Sequence, residues 1–155
     1  MALTKLNNQS LTAVTSAGLP SGTVLQVVQG QKTSRSTITS TSFVDVGLSV
    51  NITPSSTSSK ILIMASASGN SESTGNTLYF TVYRDSTNLG GSNGTGYISS
   101  PQARLITPVS VSTLDSPATT SQINYAIRVR TSASTVEFPG TPSEVASIVV
   151  MEIAG

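Results

Sequence analysis

The stretch QINYAIRVR, residues 122–130, alternates without a break: Ile123, Tyr125, Ile127 and Val129 point one way, while Gln122, Asn124, Arg128 and Arg130 point the other. A period of two places successive side chains on opposite faces of an extended chain, so this segment reads as a β-strand with one face in a core and one in water. Working outward, the same chemistry recurs between turn signals. Upstream, residues 77–84 set Leu78, Phe80 and Val82 against Tyr79, Thr81 and Tyr83. Further strands are predicted at 23–29, at 38–46 resuming at 48–52 beyond Gly47, at 60–67 and around Tyr97 and Ile98, after the loop TNLGGSNGTG. Downstream, they are predicted at 105–114, 136–138 and 145–153. Pro108 marks an edge or a bulge, because proline cannot donate to a ladder. In the last strand both faces are apolar, Val145, Val149, Met151 and Ile153 on one and Ile148 and Val150 on the other, which predicts burial on two sides.

About eight strands and no convincing helix predict an all-β fold: an antiparallel β-sandwich, jelly-roll-like, of two packed sheets. No fixed-period repeat favours a β-helix or solenoid. The Thr-x-Thr fragments at Thr37, Thr39 and Thr41 are too local for a flat ice-binding ladder.

Residues 1–20, MALTKLNNQSLTAVTSAGLP, differ in texture. Leu3, Leu6, Leu11 and Val14 share one arc of a helical wheel, but Thr4, Asn7, Asn8, Thr12 and Thr15 are poor helix formers. An extended N-terminal arm is predicted, serving as an anchor or subunit contact, followed by a sandwich domain over 21–155. A frayed terminus is the plain alternative.

Composition narrows the chemistry. The 155 residues contain seven acidic and eight basic side chains, no His and no Cys, and charged residues make up 10% against about 25% in an ordinary soluble domain. Ser and Thr together form about a third of the chain. Disulfides and thiolate metal sites are excluded with cysteine. The scattered Lys and Arg give no footprint for nucleic acid. No window has the roughly 18 apolar residues of a membrane helix, nor is there a signal-peptide core, which predicts a soluble, intracellularly made chain. A surface so poor in charge, with formal net charge +1, guards weakly against association, and coverage in an assembly is expected.

Catalytic constellations are missing. A nucleophilic Ser needs a base, usually His; a Ser–Lys arrangement is formally open with Lys5, Lys32 and Lys60, but Ser59–Lys60 sits in a Ser-rich loop where such a pair arises from composition alone. The carboxylates, Asp45, Asp85, Asp115, Glu72, Glu137, Glu144 and Glu152, are spread singly and read as solvated or salt-bridged groups. The glycines of 90–96 lack the Gly-Lys-Ser/Thr ending of a phosphate loop. No catalytic residue, cofactor or metal ligand is assigned, and the chain is expected not to be an enzyme.

Two surface features point to binding. Arg128 and Arg130 share one strand face and with Arg104 could contact a partner's carboxylates or a glycan; a plain exposed polar face is the alternative. Tyr79, Tyr83, Tyr97 and Tyr125 could offer stacking platforms for sugar, or could be ordinary core and interface packing. Candidate partner-contact residues are therefore Leu3, Leu6, Leu11, Val14, Leu19, Arg104, Arg128 and Arg130.

Five stretches carry a resemblance: LTKLNNQSLTAVTSAGLP (3–20), SGTVLQVVQ (21–29), TSTSFVDVGLSVNITPSSTSSKILIMASASG (39–69), LYFTVYRDSTNLGG (78–91) and ASIVVMEIAG (146–155). They resemble a widespread group of small bacteriophage virion proteins of the tail-fibre-like type. The resemblance implies a β-sandwich, a homotrimer and a place in the virion, with no catalytic residues to carry over. A long fibre shaft does not fit into this length, whereas a compact head with an arm suits docking on a lattice. The expected function is a capsid decoration (cement) protein that binds and stabilises the capsid, its partners being copies of itself and the major capsid protein or another virion protein. The alternative is a short tail-fibre or receptor-binding tip recognising host surface polysaccharide. A carbohydrate-active enzyme ranks last.

Overall fold

Alternating apolar and polar residues leave each strand one face to bury, and two sheets meeting face to face bury them together. The computed structural model describes residues 19–155, which form two antiparallel sheets and no helix. Eleven strands follow in chain order: β1 (Val24–Lys32), β2 (Ser36–Ile38), β3 (Val44–Ile52), β4 (Lys60–Ser71), β5 (Thr77–Arg84), β6 (Thr87–Asn88), β7 (Gly96–Ser99), β8 (Leu105–Asp115), β9 (Ile123–Thr131), β10 (Val136–Phe138) and β11 (Ala146–Ile153).

These strands occupy eight lanes. β1 and β2 share an edge lane, pairing with β11 and β10 respectively, and both β11 and β10 lie against the same side of β4, whose other side carries β8. In the second sheet β3 pairs with β9, β9 with β5, and β5 with β6 and then β7 along its far side. Nested antiparallel pairs, β1 with β11, β3 with β9, β4 with β8 and β5 with β6/β7, thus alternate between sheets. That order is the jelly roll, a long folded-back ribbon rolled into a sandwich. The nine predicted segments fall into the eight lanes, 136–138 and 145–153 sharing one as β10 and β11; the predicted 38–46 run is instead broken over 39–43 between β2 and β3, β3 continues through Gly47, and β6 was not predicted.

The core lies between the sheets. Leu48, Ile61, Ile63, Leu78, Val82, Val129, Ile148 and Val150 are fully buried there. Two glycines set the geometry at one edge. Gly47, at φ +75°, sits where the β3–β9 register shifts between Asp45 and Leu48, and its N–H is accepted by Asp45 Oδ1 at 2.7 Å; a left-handed residue in a bulge suits glycine. Gly30 on β1 faces β3 across the sandwich, and a Cβ there would lie 2.1 Å from the Ser49 carbonyl oxygen. Only a bare backbone lets the two edge strands approach so closely.

One expectation needs correction. Ile148 and Val150 of β11 are buried in the core, but Val149, Met151 and Ile153 on the opposite face are only half-buried. Within a single chain β11 is covered on one side.

Candidate functional site

Both outer faces are distinctive, and polar clusters between the strands account for several of the charged residues. At one end Asp115 of β8 accepts two hydrogen bonds from Arg84 Nη1 of β5, both at 2.9 Å, and a third from the Tyr125 hydroxyl of β9 at 2.7 Å. This ties the two sheets together. Burial pushes the Tyr125 hydroxyl pKa far up, and its bond to Asp115 and that residue's negative charge push it further. Tyr125 is therefore a core residue and offers no ring to a ligand.

Glu152 is buried at the end of β11. Its Oε1 accepts from Ser55 N–H at 2.6 Å and from the Ser55 and Ser59 hydroxyls at 2.7 Å each, while Oε2 accepts from Gln26 Nε2 at 2.5 Å. Burial raises the pKa of such a carboxyl, but the hydrogen bonds outweigh burial and hold it below its ordinary value. Glu137, also buried, is bonded by Arg35 at 2.9 Å and Asn70 Nδ2 at 2.7 Å. The prediction of solvated or paired carboxylates thus fails at Glu152, which is neither. It is a buried hydrogen-bond hub, and Ser59 serves it without a hydrogen bond to Lys60. Among the described residues no three His, Cys, Asp or Glu side chains converge as metal ligands would.

On the outer face of the β3–β9–β5–β6/β7 sheet, arginines and aromatic rings interleave. The Arg130 guanidinium carbon lies 3.8 Å from the Tyr79 ring centre and 5.3 Å from that of Phe43; Arg128 lies 4.1 Å from Tyr83. Phe43 and Tyr83 are 6.4 Å apart, Tyr79 and Tyr97 6.0 Å. Register builds this stack: Tyr97, Tyr79 and Arg130 are cross-strand neighbours on β7, β5 and β9. Each cation over a ring contributes roughly 0.5–1 kcal/mol where exposed. Arg130 Nη2 donates to Asn93 Oδ1 at 3.0 Å and Arg128 Nη2 to the Asp85 carbonyl at 3.5 Å, while Arg128 Nε is buried without a partner. Neither arginine has a carboxylate within 4.0 Å among the described residues, whereas Arg35, Arg84 and Arg104 each have one.

Of the sequence-predicted contact residues, Arg128 and Arg130 come together on this face. Arg104 does not join them through any hydrogen bond or ion pair; it precedes β8 and reaches Glu72 at 3.6 Å. Leu3, Leu6, Leu11 and Val14 lie outside the described residues. Leu19 lines a hydroxyl-rich depression of about 380 Å³ with Leu25, Ser55, Ser59 and Ala154, beside the point where Gly22 N–H bonds the Ala154 carbonyl. Phe43 was not among the predicted contact residues; it immediately precedes β3, and only the tertiary fold brings it beside Tyr83 and Arg130.

The opposite outer face, on the β1–β11–β4–β8 sheet, carries a feature that no single strand reveals. Val27, Met151, Leu62 and Leu114 are aligned partners across all four lanes. Val149 and Met64 continue the apolar surface in the adjacent row. Val27 is 56% and Leu114 55% exposed. Contiguous exposed apolar strips of this kind are a common feature of contact surfaces. No protein-family model matches the chain, and no curated protein matches it.

Proposed function

We propose that this protein is a structural component of a bacteriophage virion: a capsid decoration protein that stabilises the shell by binding it and its own copies, without catalysis. The single observation that carries the adhesive part of this reading is the four-lane row Val27–Met151–Leu62–Leu114, whose ends are more than half exposed and whose middle is half-buried in one chain. Burying it against a neighbour recovers roughly 25 cal/mol per Å² of apolar surface, and the one charged side chain in the next row on β4 is Lys60, paired with Ile153. The phage assignment draws on the resemblance in residues 3–29, 39–69, 78–91 and 146–155. The arm over residues 1–20, with Leu3, Leu6, Leu11 and Val14, is the proposed lattice anchor. Imaging the particle tests the role: hundreds of copies spread over the capsid, and capsids that lose heat or chelator resistance without the protein, are expected. A handful of copies confined to the tail would overturn it.

A specific observation favours the second reading, a receptor-binding tip. The Arg128–Arg130 platform is polar, aromatic and uncompensated in charge, features that suit a glycan better than a capsid lattice.

A further inference from the structure

We infer that the outer face of the β3–β9–β5–β6/β7 sheet binds an acidic saccharide, with Arg130 and Arg128 holding its carboxylate and Tyr97 stacking on a sugar ring. This deepens the receptor-tip reading and rests on it for the source of the sugar.

Charge comes first. Three of the five arginines among the described residues are matched to carboxylates, and the two unmatched ones stand two residues apart on the same face of β9. The nearest acidic side chains share this region but form no ion pair with either arginine: Asp45, the cross-strand partner of Arg128, accepts Gly47 N–H, and Asp85 Oδ1 accepts Asn124 N–H at 3.0 Å. A ligand carboxylate would supply the missing counter-charge.

Preorganisation comes next. Each guanidinium lies over a tyrosine ring, and Arg130 is further pinned by Asn93. The planar fork is thereby held with unused N–H donors at its rim, so little side-chain entropy remains to be lost when a carboxylate docks. Tyr97, 66% exposed, stands at the edge of the stack with its ring tilted 42° to Tyr79. It offers an amphipathic surface of the sort on which the C–H face of a pyranose packs. Asn51 and Asn93, both exposed, can serve the sugar hydroxyls.

The β3–β9 part of this face is poor in aliphatic surface. Its outward positions on β3 and β9 are Asp45, Gly47, Ser49, Asn51, Asn124 and Ala126 beside the arginines. No aliphatic side chain larger than alanine is available there for a protein partner to bury, in contrast to the apolar strip on the other sheet.

The test uses the full-length protein and immobilised oligosaccharides containing uronic or sialic acid, each beside its carboxyl-reduced counterpart, with poly-glutamate as an acidic peptide control. Binding to at least one acidic saccharide is expected, at least tenfold tighter than to its reduced form and weakened by added salt. Arg130→Gln and Arg128→Gln should each reduce that affinity about tenfold, and Tyr97→Ala, at an exposed site, should weaken it severalfold with an unchanged melting temperature. Equal binding of the reduced sugars would defeat the inference while leaving a glycan-binding tip standing. No binding to any acidic or reduced sugar would defeat both. Poly-glutamate bound as tightly as the saccharides, with Tyr97→Ala without effect, would replace the sugar with a peptide ligand and overturn the inference.

Discussion

Asp115 and Glu152 show how few charges this chain needs when each is placed where several strands converge. Asp115 accepts from Arg84 and Tyr125 and so joins β8 in one sheet to β5 and β9 in the other. Asp115→Ala should lower unfolding free energy by about 2–4 kcal/mol, because it strands a partly buried guanidinium as well as removing bonds; chemical denaturation measures this, and Tyr125→Phe should cost only about 1 kcal/mol. Glu152 holds Gln26, Ser55 and Ser59. Glu152→Gln should cost about 1–3 kcal/mol, since an amide nitrogen cannot accept the bonds that a carboxylate oxygen takes. The wild-type pH dependence follows from the same group. A carboxyl whose folded pKa is lowered from 4.5 contributes fully at pH values above the unfolded value and loses that contribution as pH falls through the lower, folded one. Stability should therefore decline in acid below about pH 4.5, with a shallower decline in Glu152→Gln; melting curves across pH 2–6 check both. With no histidine, no titration of that type intervenes near neutrality.

At the scale of elements, strands are interrupted where the sheet must bend or close. The β1/β2, β10/β11 and β6/β7 lanes are each broken by a loop, and β3 carries the Gly47 bulge. The close approach of β1 to β3 at Gly30 gives a sharp test. Gly30→Ala should destabilise by about 3 kcal/mol, because the new methyl meets backbone that cannot rotate away. Gly91→Ala, where the nearest atom is 4.0 Å distant, should change stability by less than about 0.5 kcal/mol. Paired thermal denaturation separates the two. Much at this level was legible beforehand. The 77–84 and 122–130 strands follow their alternation, and Pro108 lies on β8, an edge strand paired only with β4. β6 was not legible, since two residues carry no usable period, and β2 merges with β3 in the sequence because Ile38, Phe43 and Val46 read as one run.

For the whole molecule, the two outer faces differ in chemistry: an apolar strip on one sheet and an arginine–tyrosine platform on the other. If the strip seats the protein on its neighbours, the double substitution Val27→Lys with Leu114→Lys should leave the fold intact, both positions being more than half exposed, while abolishing self-association and particle binding. Light scattering and co-sedimentation with capsids lacking the protein read these out. Retained association in the double variant would locate the contact elsewhere.

The alternation of apolar and polar residues, the scarcity of charge and the absence of His and Cys by themselves determined an all-β sandwich with little material for catalysis, because periodicity and side-chain chemistry are local properties. Strand order, the apolar row spanning β1, β11, β4 and β8, and the stacking of Arg128 and Arg130 on Phe43, Tyr79 and Tyr83 were decided only by tertiary structure. Their members lie up to about 125 residues apart in the chain, and only the register of paired strands brings residues so distant in sequence onto one surface.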